Sequence, residues 1–228
     1  KTKPFLGTAQ TKEYNAFACK VPDSEEYLII FESELFTLAN LLAKIIASCL
    51  PDFNISDDKV TFNINKGRIE NHIQNNIILQ TRFADFIHNA IILGQPLKTK
   101  PYFLDATFGR LQFELFNSME LFIMAHEYGH IYSGHLDKSN IVLQVKNNIP
   151  REIILLNWEM EFEADFIGLQ LLLNTFDKDS FFPFCYLGPE LFFTFLDLSD
   201  RVNNLNETGI ETRSYGSDTH PSSFERRE

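Results

Sequence analysis

The sequence predicts an α+β protein, mainly α-helical with a small β-sheet, built around one long central helix. Three observations carry this. A long apolar stretch, about 107–137, has helical character and holds His126-Glu127-Tyr128-Gly129-His130 near its end. Other segments of helical length, bounded by Pro or Gly, recur along the chain. Segments with strand character are short and lie mostly near the N-terminus.

In order along the chain, residues 14–19 and 27–31 read as two strands around the turn Pro22-Asp23-Ser24. A helix is expected over about 33–49, stopped by Pro51. Residues 59–66 alternate, with Val60, Phe62 and Ile64 apolar, which predicts a strand. Residues 68–93 read as one helix with Gly94 and Pro96 as stop signals, and 101–104 as a short extended piece. The central helix runs from about 107 to 137. A loop around 147–150 leads to a helix over about 151–174, and a loop at 181–189 to a helix ending near 203. The stretch 204–218 is rich in Gly, Thr, Ser and Asn and is expected to be a mobile loop. No repeat and no linker divides the chain, so residues 1–228 are expected to form one domain, with an inserted subdomain at about 50–105.

Composition narrows the function classes. An apolar content of 44% fits a globular protein rather than a disordered one. The net charge of −11 opposes phosphate backbones and there is no basic stripe, so nucleic acid is not an expected partner. Cys19, Cys49 and Cys185 are scattered, with no Cys-x-x-Cys spacing, which fits a reduced, cytoplasmic compartment. No signal peptide is visible. The apolar stretches 35–50 and 181–198 are too short or too interrupted, by Asn40 and Lys44 and by Pro183, Pro189, Glu190 and Asp197, for a bilayer core that needs about 20 apolar residues. No stable membrane insertion is expected. Most of the 23 phenylalanines are expected in the core, with 181–195 a candidate wall for apolar substrate side chains.

The sharpest signal is the H-E-x-x-H spacing. Residues four apart on a helix share a face, so His126 and His130 can hold one metal ion, and zinc is the usual occupant. Glu127 stands beside them, able to take a proton from a water held by that metal. The motif lies in an apolar run, Leu121 to Ala125 before it and Ile131 after it. A solvated helix face would not be embedded so, and buried His and Glu need partners. A catalytic zinc usually has a third protein ligand. Glu159, Glu161, Glu163 and Asp165 lie on the next predicted helix, and Glu161 and Asp165, four apart, share a face that Glu163 does not. Such a pair suits one carboxylate on the metal and one orienting a ligand histidine.

Taken together, His126-Glu127-x-x-His130 followed by Glu161-x-x-Ala164-Asp165-x-x-Gly168 resembles the M48 family of gluzincin zinc metallopeptidases. Asn15-Ala16-Phe17-Ala18 is similar to that family's Asn-Ala-Phe strand, His135 to a histidine often seen after the motif, and His220-Pro221 with Arg226 to its C-terminal His-Pro…Arg element. The resemblance implies a zincin-like fold and one zinc ion held by His126, His130 and Glu161. It implies Glu127 as general base and His220 as the group nearing the substrate carbonyl oxygen. Asp165 would orient a ligand histidine, Arg226 would tie the C-terminal element to the acidic helix, and Asn15, Ala16 and Phe17 would edge a cleft for an extended peptide. His135 is set aside as a packing or surface residue. The stretch after Cys49 is longer than the family's usual connection, and the membrane helices of its integral-membrane branches are absent.

These features point to zinc-dependent cleavage of peptide bonds in a protein or peptide substrate. Two other readings share the motif: a phage-exclusion-type cytosolic metalloprotease, and a catalytically silent, metal-bearing binding or regulatory module. Latency is a further expectation, with 204–218 or 50–105 covering the cleft until a regulatory partner moves it.

Overall fold

A computed structural model describes residues 3–10, 14–56, 59–136, 141–146, 149–154, 158–175, 186–212, 216 and 221–227. Its architecture is α+β, mostly helical with a small three-stranded sheet.

Strands β1 (Phe5–Ala9), β2 (Ala16–Lys20) and β3 (Tyr27–Glu32) form that sheet in the order β1-β3-β2. The expected hairpin is present: β2 runs antiparallel to β3, with Ala16 opposite Phe31 and Lys20 opposite Tyr27. Its turn is closed by Val21 N–H donating to the Glu26 carbonyl at 2.9 Å, with Asp23 at φ 55. Asp tolerates this left-handed conformation better than most residues. Strand β1, parallel to β3, was not expected. Phe5 and Leu6 are both exposed, so its sequence carries no alternation to read.

Helix α1 (Ser33–Cys49) matches expectation and buries Leu35, Leu38, Leu42 and Ile45, which recur at helical spacing. Beyond it the structure corrects several expectations. The strand expected over 59–66 ends early: β4 (Asn54–Ser56) pairs with β5 (Lys59–Thr61). The single helix expected over 68–93 is divided into α2 (Lys66–Asn75) and α3 (Ile77–Phe86), followed by a wider turn over Ile87–Ile92. Asn76 causes the break, because its side chain caps α3 by accepting from Leu79 N–H at 3.0 Å. Residues 101–104, expected as a short extended piece, carry no regular secondary structure.

The central helix α4 (Ala106–Tyr132) starts at Asp105, whose carboxylate accepts from Thr107 and Phe108 N–H. It ends before the expected 137. Gly134 takes φ 74, its N–H donates to the Ile131 carbonyl, and His135 N–H donates to the His130 carbonyl at 3.0 Å. This is a Schellman closure, which needs a residue tolerant of the left-handed region. The helix expected over 151–174 is also shortened. Residues 149–154 instead form β7 (Ile149–Ile154), paired antiparallel with β6 (Ile141–Lys146). Ile141, Val142, Val145, Ile149, Ile153 and Ile154 are β-branched, and Pro150 opposes helix, so strand pairing prevails. Helix α5 (Trp158–Thr175) follows, then α6 (Leu187–Thr208) and α7 (Ser223–Arg227). The loop expected from 204 begins later, because α6 continues to Thr208 and closes on Gly209 at φ 73. Residues 213–215, 217–218 and 181–185 of the two expected loops lie outside the described residues.

Helix α4 is the hub. Leu111, Leu115 and Met119 join Leu38 and Leu42 of α1 in the main core, and Phe53, Leu79, Phe86, Ala90 and Ile91 from the 50–105 stretch belong to the same cluster. Ile123 packs under the sheet with Ala16, Ile29, Phe31 and Leu35. Phe122, Leu172 and Phe193 pack together where α4, α5 and α6 meet. Phe193 and Phe195 are thus core residues rather than an open wall. Among the described residues, no helix is long and apolar enough to cross a membrane.

Candidate metal centre

The site lies where α4 and α5 cross closely. Two glycines permit the approach. A Cβ on Gly129 would stand 3.0 Å from the Ala164 backbone, and one on Gly168 would stand 3.0 Å from the His126 backbone nitrogen. His126 and His130, one turn apart on α4, thereby face Glu161 of α5. The three form a buried group whose ligand atoms all lie within 4.8 Å of one another. His126 Nε2 and His130 Nε2 are 3.1 Å apart, and each lies 3.7 Å from a Glu161 oxygen.

These donors fit a metal ion. Two ligands bound tetrahedrally at about 2.0–2.1 Å stand about 3.3 Å apart, between the separations seen here. The chemistry of the donors agrees. His126 Nδ1 lies 2.8 Å from Asp165 Oδ1, so it carries the proton donated to that carboxylate and leaves Nε2 as a lone pair. Glu161, as a carboxylate, offers only lone pairs. Lone pairs converging in one buried site suit a cation.

The predicted acids divide as their spacing implied. Glu161 faces the site and is only 2% exposed, whereas Glu159 and Glu163 are exposed. The neighbouring aromatics do not bury: Trp158, Phe162 and Phe166 lie outward, and it is the acidic face of α5 that meets α4. Asp165 lies beside His126. Burial pushes its carboxyl up, but hydrogen bonds from Arg226 and His126 outweigh this and hold it below the ordinary value.

Arg226 reaches the site from α7. Its Nε and Nη2 donate to Asp165 Oδ2 and Oδ1 at 2.8 and 2.6 Å, and Nη1 lies 3.2 Å from Glu161 Oε2. Its guanidinium also stacks 4.7 Å from the Phe193 ring centre. Burial works against its charge, but Asp165 first, then Glu161 and Glu127, hold the guanidinium protonated more firmly than usual. Next to it, Arg227 pairs with Glu190 at the start of α6, so two arginines fasten α7 to two helices.

Glu127 is buried between α4 and the sheet, where it accepts a hydrogen bond from the Ala18 backbone N–H. Burial raises its carboxyl, Glu161 adds to the rise, and His126, the Ala18 bond and Arg226 oppose it; the net direction is upward. Strand β2, which carries Ala18, is an outer strand of its sheet. Asn15 precedes it: its carbonyl accepts from Glu32 N–H at 3.0 Å and its side chain from Ala16 N–H at 2.9 Å. Ala16 is buried under the sheet and Phe17 is 41% exposed. The Ala18 bond places β2, which Asn15 precedes, beside Glu127. His220 lies outside the described residues, while Pro221, which follows it, is buried just before α7.

His135, which the sequence reads as a packing or surface residue, sits against the candidate ligand His130. His135 is only 5% exposed, with Nδ1 3.0 Å from His130 Nδ1 and Nε2 3.1 Å from Glu163 Oε2. Ser133 Oγ donates to the other Glu163 oxygen at 2.9 Å. These two bonds, Ser133 first, hold the Glu163 carboxyl below its usual range. The signal that finds His135 is Gly134, which turns the chain back after the motif.

Comparison with protein-family models, with curated proteins and with solved structures finds no match to this chain.

Proposed function

We propose that the protein is a zinc-dependent endopeptidase of zincin-like fold, cleaving internal peptide bonds in a protein substrate. The observation that carries the proposal is the buried His126–His130–Glu161 group with Glu127 lodged between it and an outer strand. His126, His130 and Glu161 would hold one zinc ion. When bound, that ion acidifies a water and polarises the scissile carbonyl.

The remaining work belongs to the chain. An extended peptide adds along β2 at Asn15, Ala16 and Phe17, which sets the scissile bond across the mouth of the site. Glu127 takes the proton of the attacking water and returns it to the leaving amine. A carboxyl raised by burial suits both halves of that task. The Ala18 amide holds Glu127 against the strand, so base and substrate share one support. Asp165 keeps His126 in the tautomer that presents Nε2. Arg226 neutralises the surplus of carboxylates around the ligands, and His220 assists at the carbonyl oxygen. The free thiols of Cys19 and Cys49 suit a reducing, cytoplasmic setting.

The test pairs metal analysis with N-terminal proteomics of a cell lysate treated with wild type or Glu127→Gln. The proposal expects about one zinc per chain in both proteins and new N-termini with wild type alone. Zinc in both without new N-termini would instead favour a silent, metal-bearing binding module. A well-folded protein that takes up no zinc would sink both.

A further inference from the structure

We infer that His135 and Glu163 are positioning residues for the metal ligand His130, forming a carboxylate–histidine–histidine relay from the protein surface to the site. The inference rests on the reading that His126, His130 and Glu161 hold a metal.

The proton arrangement follows from the distances. His130 presents Nε2 to the site, 3.1 Å from His126 Nε2 and 3.7 Å from Glu161 Oε1. A neutral imidazole that ligates through Nε2 carries its proton on Nδ1. That Nδ1–H points at His135 Nδ1, 3.0 Å away, which must then accept. An imidazole accepting at Nδ1 carries its proton on Nε2, and His135 Nε2 lies 3.1 Å from Glu163 Oε2. Every donor meets an acceptor, and one carboxylate at the far end fixes both tautomers. Ser133 Oγ, donating to Glu163 Oε1 at 2.9 Å, holds that carboxylate in place.

The backbone is arranged to the same end. Gly134 at φ 74 and the His135 N–H bond to the His130 carbonyl fold the chain end back, so that the His135 ring lies against the His130 ring at 5.2 Å between centres. A residue serving only to fill space would not need both ring nitrogens aligned on polar partners. His126 has its own carboxylate in Asp165, so each ligand histidine is oriented from behind, one directly and one through a second imidazole. The side chain of Glu163 is 56% exposed, so the relay ends at the surface.

The test measures zinc affinity by competition with a chromophoric chelator, and the visible spectrum of the cobalt-substituted protein, for wild type, His135→Phe, His135→Asn, Glu163→Ala and the double variant His135→Phe/Glu163→Ala. Phe keeps the ring volume without the acceptor. Asn offers an oxygen near the place of Nδ1. The relay predicts about 10- to 100-fold weaker zinc binding and a shifted cobalt spectrum for His135→Phe. It predicts substantial recovery in His135→Asn and no further loss in the double variant. Glu163→Ala, at an exposed position, should weaken binding in the same direction and keeps the test alive if His135→Phe fails to fold. Wild-type affinity and spectrum in both Glu163→Ala and a folded His135→Phe would overturn the relay. So would a His135→Asn as weak as His135→Phe. Wild type that binds no zinc would overturn the metal reading itself, which is a different result.

Discussion

Arg226 and Asp165 form a two-pronged ion pair between α7 and α5, with Nε to Oδ2 at 2.8 Å and Nη2 to Oδ1 at 2.6 Å. Both side chains are nearly buried, at 11% and 12% exposure, and Glu161 lies within 3.2 Å of the same guanidinium. Arg226→Ala leaves two buried carboxylates without their cation, and breaking such a pair costs about 3–5 kcal/mol. Arg226→Lys keeps the charge but not the fork, and should recover only part of the loss. The pH dependence has a definite sign. Asp165 is held below its ordinary value, so the stability it contributes is full above the unfolded aspartate range near 3.8 and is lost as pH falls through the lower folded value. Urea melts at several pH values should show wild type losing this increment on acidification, and Arg226→Ala lacking it at neutral pH. Equal midpoints for the two proteins at neutral pH would show that the pair contributes nothing.

Cys49, at the end of α1, packs against the main core, and burial pushes its thiol from 9.0 up to about 11. Two pH units reduce the thiolate, which is the reactive form, about 100-fold at pH 8. Alkylation of the native protein with iodoacetamide, read by peptide mass spectrometry, should label Cys49 about 100-fold more slowly than in the urea-unfolded chain. The linkage runs the same way. A raised folded value leaves stability intact below pH 9 and removes it as pH rises toward 11. Equal labelling rates in native and unfolded protein would contradict the burial of α1's last turn.

Zinc should stabilise the fold, because the ligands are assembled only when α4 and α5 are packed together. An ion that binds the folded state at 100 times its dissociation constant adds about 2.7 kcal/mol. Thermal melts should shift upward with added zinc and back with chelator. His130→Ala or Glu161→Gln should remove the shift, whereas Glu127→Gln should keep it. A shift that survives loss of either ligand would place the zinc elsewhere.

How much of this the sequence revealed depends on the range of the forces involved. H-E-x-x-H could be read because four-residue spacing alone puts His126 and His130 on one face. Glu161 and Asp165 could be paired for the same reason, although only the crossing of α5 over α4 decides which one faces the histidines. Helix α1 was legible from its buried stripe and Pro51. The division at Asn76 was not, since an Asn inside a helical pattern can either cap or sit on the surface. The 141–154 hairpin was missed because pairing between two segments outweighed a local pattern that also suited a helix. The role of His135 is not legible in the sequence because it depends on a backbone reversal at Gly134 and on Glu163, twenty-eight residues away. Such contacts leave no periodic trace.

Gly168 tests whether the crossing of α4 and α5 sets the metal geometry. Alanine normally improves a helix interior by about 0.5–1 kcal/mol relative to glycine. At Gly109, near the start of α4, an added Cβ meets nothing within 4 Å, so Gly109→Ala should raise stability by about that amount. At Gly168 the same methyl would stand 3.0 Å from His126 N and 3.1 Å from its Cα, which are backbone atoms of the ligand's own helix. Neither helix can yield locally, so α5 must move away by a few tenths of an ångström. Overpacking of this kind costs about 1–3 kcal/mol, more than the propensity gain. Because His126 and Glu161 sit on opposite sides of that contact, the displacement should also weaken zinc binding. Chelator competition and urea melts on Gly109→Ala and Gly168→Ala separate the two effects. Gly109→Ala should be more stable with unchanged zinc affinity, and Gly168→Ala less stable with reduced affinity. A Gly168→Ala protein as stable and as tight for zinc as wild type would mean that the close approach of the helices does not position the ligands.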